Sequence, residues 1–133
     1  MKKPLCAAAL LIGLAVTQAH AKCEDADLRG RWDVYGIGDF FEFGSTFDCV
    51  FLVKKSGRFA RSICINRAGF DELRSVHRGE LAIRRNCLVE GDINVTGGTA
   101  CIFDGTMTRS KDAISGVANC DTGLVEMFNM VRR

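Results

Sequence analysis

The chain has 133 residues, with 18 Lys and Arg against 16 Asp and Glu, seven cysteines and a single Pro. That balance lacks the basic footprint of a nucleic-acid binder, and the length, without a linker, repeat or low-complexity tract, fits one domain. No apolar run is long enough to span a bilayer as a helix.

Residues 1–21 read as a signal peptide: Lys2 and Lys3 form a positive n-region, Leu5 to Val16 an apolar h-region, and Ala19-His20-Ala21 a small-x-small cleavage site. Cys23 raises a lipoprotein anchor as the rival reading, but Lys22 stands before it where a lipobox needs a small residue. The expected mature domain is therefore 22–133, exported to a bacterial periplasm or medium without a stable membrane anchor. Loss of Lys2 and Lys3 leaves acidic and basic residues equal in number. Of the cysteines, Cys23, Cys49, Cys64, Cys87, Cys101 and Cys120 remain, an even set that in a small exported domain reads as disulfides. None is spaced Cys-x-x-Cys, so neither a redox motif nor a zinc knuckle is indicated.

Glycines punctuate the domain, and the stretches between them alternate apolar and polar residues. Strands are expected near 29–37, 47–55, 58–65, 79–85, 87–95, 99–109, 112–120 and 123–132. Cys87, Val89, Gly91, Ile93 and Val95 share one face of the fifth. Between the third and fourth strands, Phe70, Leu73 and Val76 or His77 recur at helical spacing, which predicts one short helix in 66–77. His77 itself is expected at the surface.

The hairpins can be registered. A two-residue turn at Ser110-Lys111 sets Met107 opposite Ile114, Gly105 opposite Gly116, Phe103 opposite Ala118 and Cys101 opposite Cys120, so that one face of both strands becomes apolar. A three-residue turn at Thr96-Gly97-Gly98 keeps Ile93 opposite Cys101, and a turn at Ser56-Gly57 sets Cys49 opposite Cys64. The proposed disulfides are Cys49–Cys64 and Cys101–Cys120, with Cys23–Cys87 tying down the N-terminus. Two-residue loops place both cross-strand pairs at hydrogen-bonded positions, which are the wider ones; a bulge would change that parity.

About eight strands joined by short turns predict an all-β fold: an up-and-down antiparallel β-barrel with one short helix, with a two-sheet β-sandwich as the alternative. A closed barrel needs a plug. Trp32, the only Trp, follows Gly30 at the start of the first strand, and Arg132 or Arg133 of the last strand can cover its face. Gly30-x-Trp32 with a C-terminal Arg resembles the calycin group, the lipocalins and their smaller relatives. Leu28-x-Gly30-x-Trp32-x-Val34, followed by Cys49-Val50-Phe51-Leu52, also resembles the bacterial periplasmic inhibitors of secreted metalloproteases, whose N-terminal arm enters the protease cleft.

Catalysis is not expected. His77 is the one mature histidine, no Gly-x-Ser-x-Gly elbow exists, and no metal or cofactor is indicated. Glu90, Asp92 and Asn94 form an outward row without a calcium loop. Two features stand out. The stretch 38–47 carries Phe40, Phe41, Phe43 and Phe47 between the first two strands, an aromatic rim suited to a ligand or partner. Gly91, Gly105 and Gly116 on one inward face either leave room for a ligand among Val89, Phe103, Met107 and Ile114 or let a narrow barrel bend. The expected function is non-enzymatic binding of a small apolar ligand or a protein partner at the rim, with inhibition of a protease or other hydrolase as the alternative.

Overall fold

The computed structural model describes residues 22–40, 43–69 and 71–133, with the backbone alone of Asp39, Phe40 and Phe43. The expected signal peptide and Phe41 lie outside the described residues. Antiparallel strands follow one another: β1 (Gly30–Phe40), β2 (Phe43–Val53), β3 (Phe59–Ala68), β4 (Asp71–Ser75), β5 (His77–Ile83), β6 (Leu88–Val95), β7 (Thr99–Met107), β8 (Ala113–Cys120) and β9 (Val125–Arg132). They form one sheet in the order β4-β3-β2-β1-β9-β8-β7-β6-β5. A single curled sheet excludes the two-sheet sandwich.

Nine strands make eight staves. β4 and β5 are parts of one strand that bends at Val76. β4 pairs with the second half of β3, Cys64 lying opposite Ser75. β5 then continues along the first half of β3: Arg58 bridges Glu80, the Leu81 N–H donates to the Gly57 carbonyl at 3.1 Å, and the His77 N–H donates to Ser62 Oγ at 2.8 Å. Sequential strands and the β1–β9 pairing complete the cylinder, which covers most strand edges.

Among the described residues of 66–77 the expected helix is absent. The segment is the end of β3 and all of β4, joined at Gly69, which has φ +62. Leu73 pairs with Asn66 of β3 and ends up exposed, while Phe70 lies outside the described residues. His77 is not at the surface either. It opens β5 and is buried, with its ring centroid 5.9 Å from that of Phe51.

The registers hold: Cys49 faces Cys64, Ile93 faces Cys101, and Cys101, Phe103, Gly105 and Met107 face Cys120, Ala118, Gly116 and Ile114. The turns differ in detail. The β7–β8 hairpin closes where the Thr108 N–H donates to the Ala113 carbonyl, around a four-residue loop with Lys111 at φ +62. Register is unchanged, but parity inverts relative to a two-residue turn. The β2–β3 hairpin closes at Lys54 and Arg58 and then slips by one residue at a bulge beside Leu52 and Val53. Both cross-strand cysteine pairs therefore occupy the closer, non-hydrogen-bonded type of site, with Cα atoms 4.0 Å apart for Cys49–Cys64 and 3.9 Å apart for Cys101–Cys120. The third disulfide joins Cys23 to Cys87. Three disulfides suit an oxidising, non-cytosolic compartment.

The inward face is a close-packed core of Trp32, Val34, Leu81, Val89, Phe103, Ile114 and Met130, each almost wholly buried. The inward glycines are seats rather than space. A Cβ on Gly105 would lie 2.6 Å from Phe103 Cζ, and one on Gly116 would lie 2.8 Å from Phe103 Cε2. The Phe103 ring thus occupies what the glycines vacate and stacks 4.2 Å from Phe128 between centroids. The volume among Val89, Phe103, Met107 and Ile114 is filled by these side chains themselves.

Candidate functional site: the open end of the barrel

One end is sealed. A 3-10 turn over Asp25–Leu28 lies across it and puts Leu28 into the core. Trp32 Nε1–H donates to the Leu28 carbonyl at 2.8 Å. The Arg132 guanidinium sits over the Trp32 ring and donates to the carbonyls of Lys111 and Arg29, each at 3.0 Å, and of Asp27. Lys111 Nζ reaches Asp27 Oδ2 at 2.8 Å. Gly30, at φ +140, sits where an added Cβ would approach the Arg132 guanidinium at 3.8 Å. Of the two terminal arginines, Arg132 covers Trp32, while Arg133 turns outward to pair with Asp33 at 2.5 Å.

The opposite end has no such plug among the described residues. Strand alternation brings small and polar side chains inward there. Gly36 and Gly38 of β1 face Phe47 and Ser45 of β2, and Ser45 Oγ donates to the Gly38 carbonyl at 3.2 Å. Asn66 Nδ2 donates to Ser75 Oγ at 3.0 Å. His77 stands beside the Cys49–Cys64 disulfide. Glu126 lies on the face of β9 that carries Phe128 and Met130 further down, and its Cγ would be 3.2 Å from a Cβ on Gly38. Phe47 is buried, with its ring against Gly36, so it forms part of the floor.

Two groups in this cup are electrostatically unusual. Burial depresses the His77 imidazole to a pKa of about 4, so it is neutral at ordinary pH. Its Nδ1 is buried without a hydrogen-bond partner among the described residues, a rare condition for a polar atom. Burial also raises the Glu126 carboxyl above its ordinary range. Groups whose protonation the fold perturbs are candidate binding positions. His77 and the sulfurs of Cys49 and Cys64 lie within 4.8 Å of one another. The sulfurs are joined to each other, which leaves no thiolate to ligate a metal.

The aromatic stretch is not a loop. β1 and β2 run on to pair Phe40 with Phe43, so the hairpin rises at the open end. Sequence reasoning ended the first strand at 37 and began the second at 47, leaving these phenylalanines between them, whereas the strands run on to Phe40 and from Phe43; it also missed His77 and Glu126 at this end. The signal for Glu126 was present: the period of two that buries Phe128 and Met130 puts an acid on the inward face two residues earlier.

No family model matches the chain, and no curated protein matches its sequence. Solved structures do share the fold. A de novo designed fluorescence-activating β-barrel matches with 12% identity and a TM-score of 0.62 over 84% of this chain and 100% of its own. A redesigned β-barrel bound to the dye DFHBI matches with 12% identity and a TM-score of 0.64 over 86% and 100%. Another barrel bound to DFHBI gives 13% identity and a TM-score of 0.64 over 84% and 100%. At such identities the likeness is one of fold, a β-barrel.

Proposed function

We propose that the protein is an exported, non-enzymatic binding barrel that takes a small, mainly apolar molecule bearing one polar group at its open end. The observation that carries this reading is the difference between the two ends. Trp32, Leu28 and Arg132 seal one; toward the other lie Gly38, Ser45, Ser75 and two titratable groups, the buried His77 and the half-buried Glu126. A ligand hydroxyl or N–H would satisfy His77 Nδ1, and the apolar body would rest on Phe47. The Phe40–Phe43 hairpin tip would flank it. That the structural neighbours include barrels bound to a small dye is in keeping with this use of the fold. Three disulfides support export to the periplasm or medium.

The alternative, a protein partner such as a protease, is less well served by the N-terminal segment. Cys23 is tethered to Cys87, Asp25 accepts from the Ile83 N–H at 2.6 Å, and Asp27 holds Lys111. A partner would use the rim loops instead.

The test is native mass spectrometry of the exported protein, combined with titration of an environment-sensitive naphthalene dye against wild type and Ser45→Trp, which fills the mouth. The expected result is a co-purified small mass or saturable dye binding in wild type, lost in the variant. No bound mass and no dye binding, or equal binding by both forms, would overturn the reading.

A further inference from the structure

The sealed end carries a second concavity, unrelated to the cup. A cleft of about 870 Å³ opens between the β5–β6 connection, the N-terminal segment and the end of β7. Its lining includes Lys22, Arg84, Arg85 and Arg109 and no acidic residue. On a domain with balanced charge, four cations around one cleft is a concentrated positive field.

The pairing of these cations is uneven. Lys22 is 3.3 Å from Glu24, and Arg84 Nε is 2.9 Å from Glu90 Oε2. The nearby Asp25 carboxylate is engaged by the Ile83 N–H. Arg85 and Arg109 are exposed and make no ion pair or side-chain hydrogen bond among the described residues. They therefore present undirected guanidinium donors to whatever enters, and guanidinium forks match tetrahedral oxyanions.

The backbone adds an independent observation. Arg85 lies in a 3-10 turn, Arg85–Cys87, whose next two residues are non-glycine residues at positive φ, Asn86 at 61° and Cys87 at 62°. Two successive left-handed residues cost free energy, and such strain persists where surrounding structure enforces it. Here the Cys23–Cys87 disulfide fixes the turn and presents Arg84 and Arg85 at the cleft. A relaxed link from β5 to β6 would not need this conformation.

We propose that this cleft is an oxyanion site, holding a phosphate or sulfate group through Arg85 and Arg109, with Arg84 and Lys22 at its edge. The group belongs either to a soluble ligand or to the headgroup of an anionic lipid. The probes are inorganic pyrophosphate, followed by calorimetry at low salt, and phosphatidylglycerol–phosphatidylcholine vesicles, followed by co-sedimentation. Both are applied to wild type, to R85A/R109A and to the charge-matched K54A/K55A on the β2–β3 turn; near-UV circular dichroism confirms that each variant folds. Loss of two charge-assisted contacts weakens binding roughly tenfold or more in R85A/R109A, while K54A/K55A stays near wild type. That pattern with pyrophosphate identifies a soluble source, and the same pattern with vesicles alone identifies a headgroup. Absence of binding to both probes, or equal loss in the two double variants, overturns the proposal.

Discussion

The guanidinium carbon of Arg132 lies 4.6 Å from the centroid of the Trp32 ring, and the two residues are also cross-strand partners between β9 and β1. First and last strands are thus locked by side chains where they pair. Truncating Arg132 to Ala removes a cation–π contact and three hydrogen bonds to carbonyls, those of Lys111 and Asp27 half-buried and that of Arg29 exposed. An expected loss of about 2–4 kcal/mol follows, read from urea unfolding. R132K, which keeps the charge but not the fork of donors, should fall between the two. A variant as stable as wild type would show that the 3-10 turn alone seals the end.

The glycine seats make a second prediction. Gly105→Ala sets a methyl against the Phe103 ring and the Ser115 carbonyl, at 2.6 and 2.8 Å before relaxation. Overpacking of this kind costs about 1–3 kcal/mol. Adding Phe103→Leu should recover part of that loss, because the clash with the ring is removed. Additive losses in the double variant, measured by a thermal-unfolding cycle, would show that the ring is not the obstacle.

Much of this arrangement was legible in the sequence, and the reason is physical. A period of two has no freedom once one face must be buried: a slip by one residue would expose Phe103 and Met107 together. The register of β7 and β8, and with it the Cys101–Cys120 pairing, followed from that constraint. Hairpin parity did not, because a two-residue turn and a four-residue loop around Ser110-Lys111 give the same partners and differ only in which backbone groups bond. The 66–77 segment misled because Phe70 and Leu73 are spaced as on a helix, whereas what decides the conformation of Leu73 is the edge of β3 beside it. The same error placed His77 at the surface: its burial comes from Ser62 and Phe51, residues remote in sequence.

Disulfide removal should follow loop length in the chain-entropy view. Cys49–Cys64 spans 15 residues and Cys23–Cys87 spans 64, corresponding to about 3 and about 4 kcal/mol. The paired serine variant at Cys23 and Cys87 should be the less stable of the two and should also release the strained turn at Asn86. Equal midpoints in guanidinium titration would count against the entropic ordering.

The buried His77 and the half-buried Glu126 give opposite pH slopes. His77 has a folded pKa of about 4 against an ordinary 6.5. The unfolded chain therefore takes up a proton that the folded one refuses, and stability falls as pH drops from 6.5 to about 4. The full window is worth about 3 kcal/mol at roughly 1.4 kcal/mol per unit. Glu126 is raised above its ordinary 4.5, so its contribution is present at acid pH and is lost as pH rises through the folded value. Asp27 and Asp112 are held below their ordinary 3.8, by hydrogen bonds from Lys111 and from Ser110 respectively, and titrate beneath this window. In wild type the slopes of His77 and Glu126 oppose each other over the pH range just above 4.5 in which both groups titrate. H77Q should leave a barrel that grows more stable as pH falls through that range, and E126Q one that grows less stable. Urea midpoints of both variants at several pH values check the signs. If both variants keep the wild-type profile, neither group is buried in solution as it is here, and the cup must be open to water to its floor.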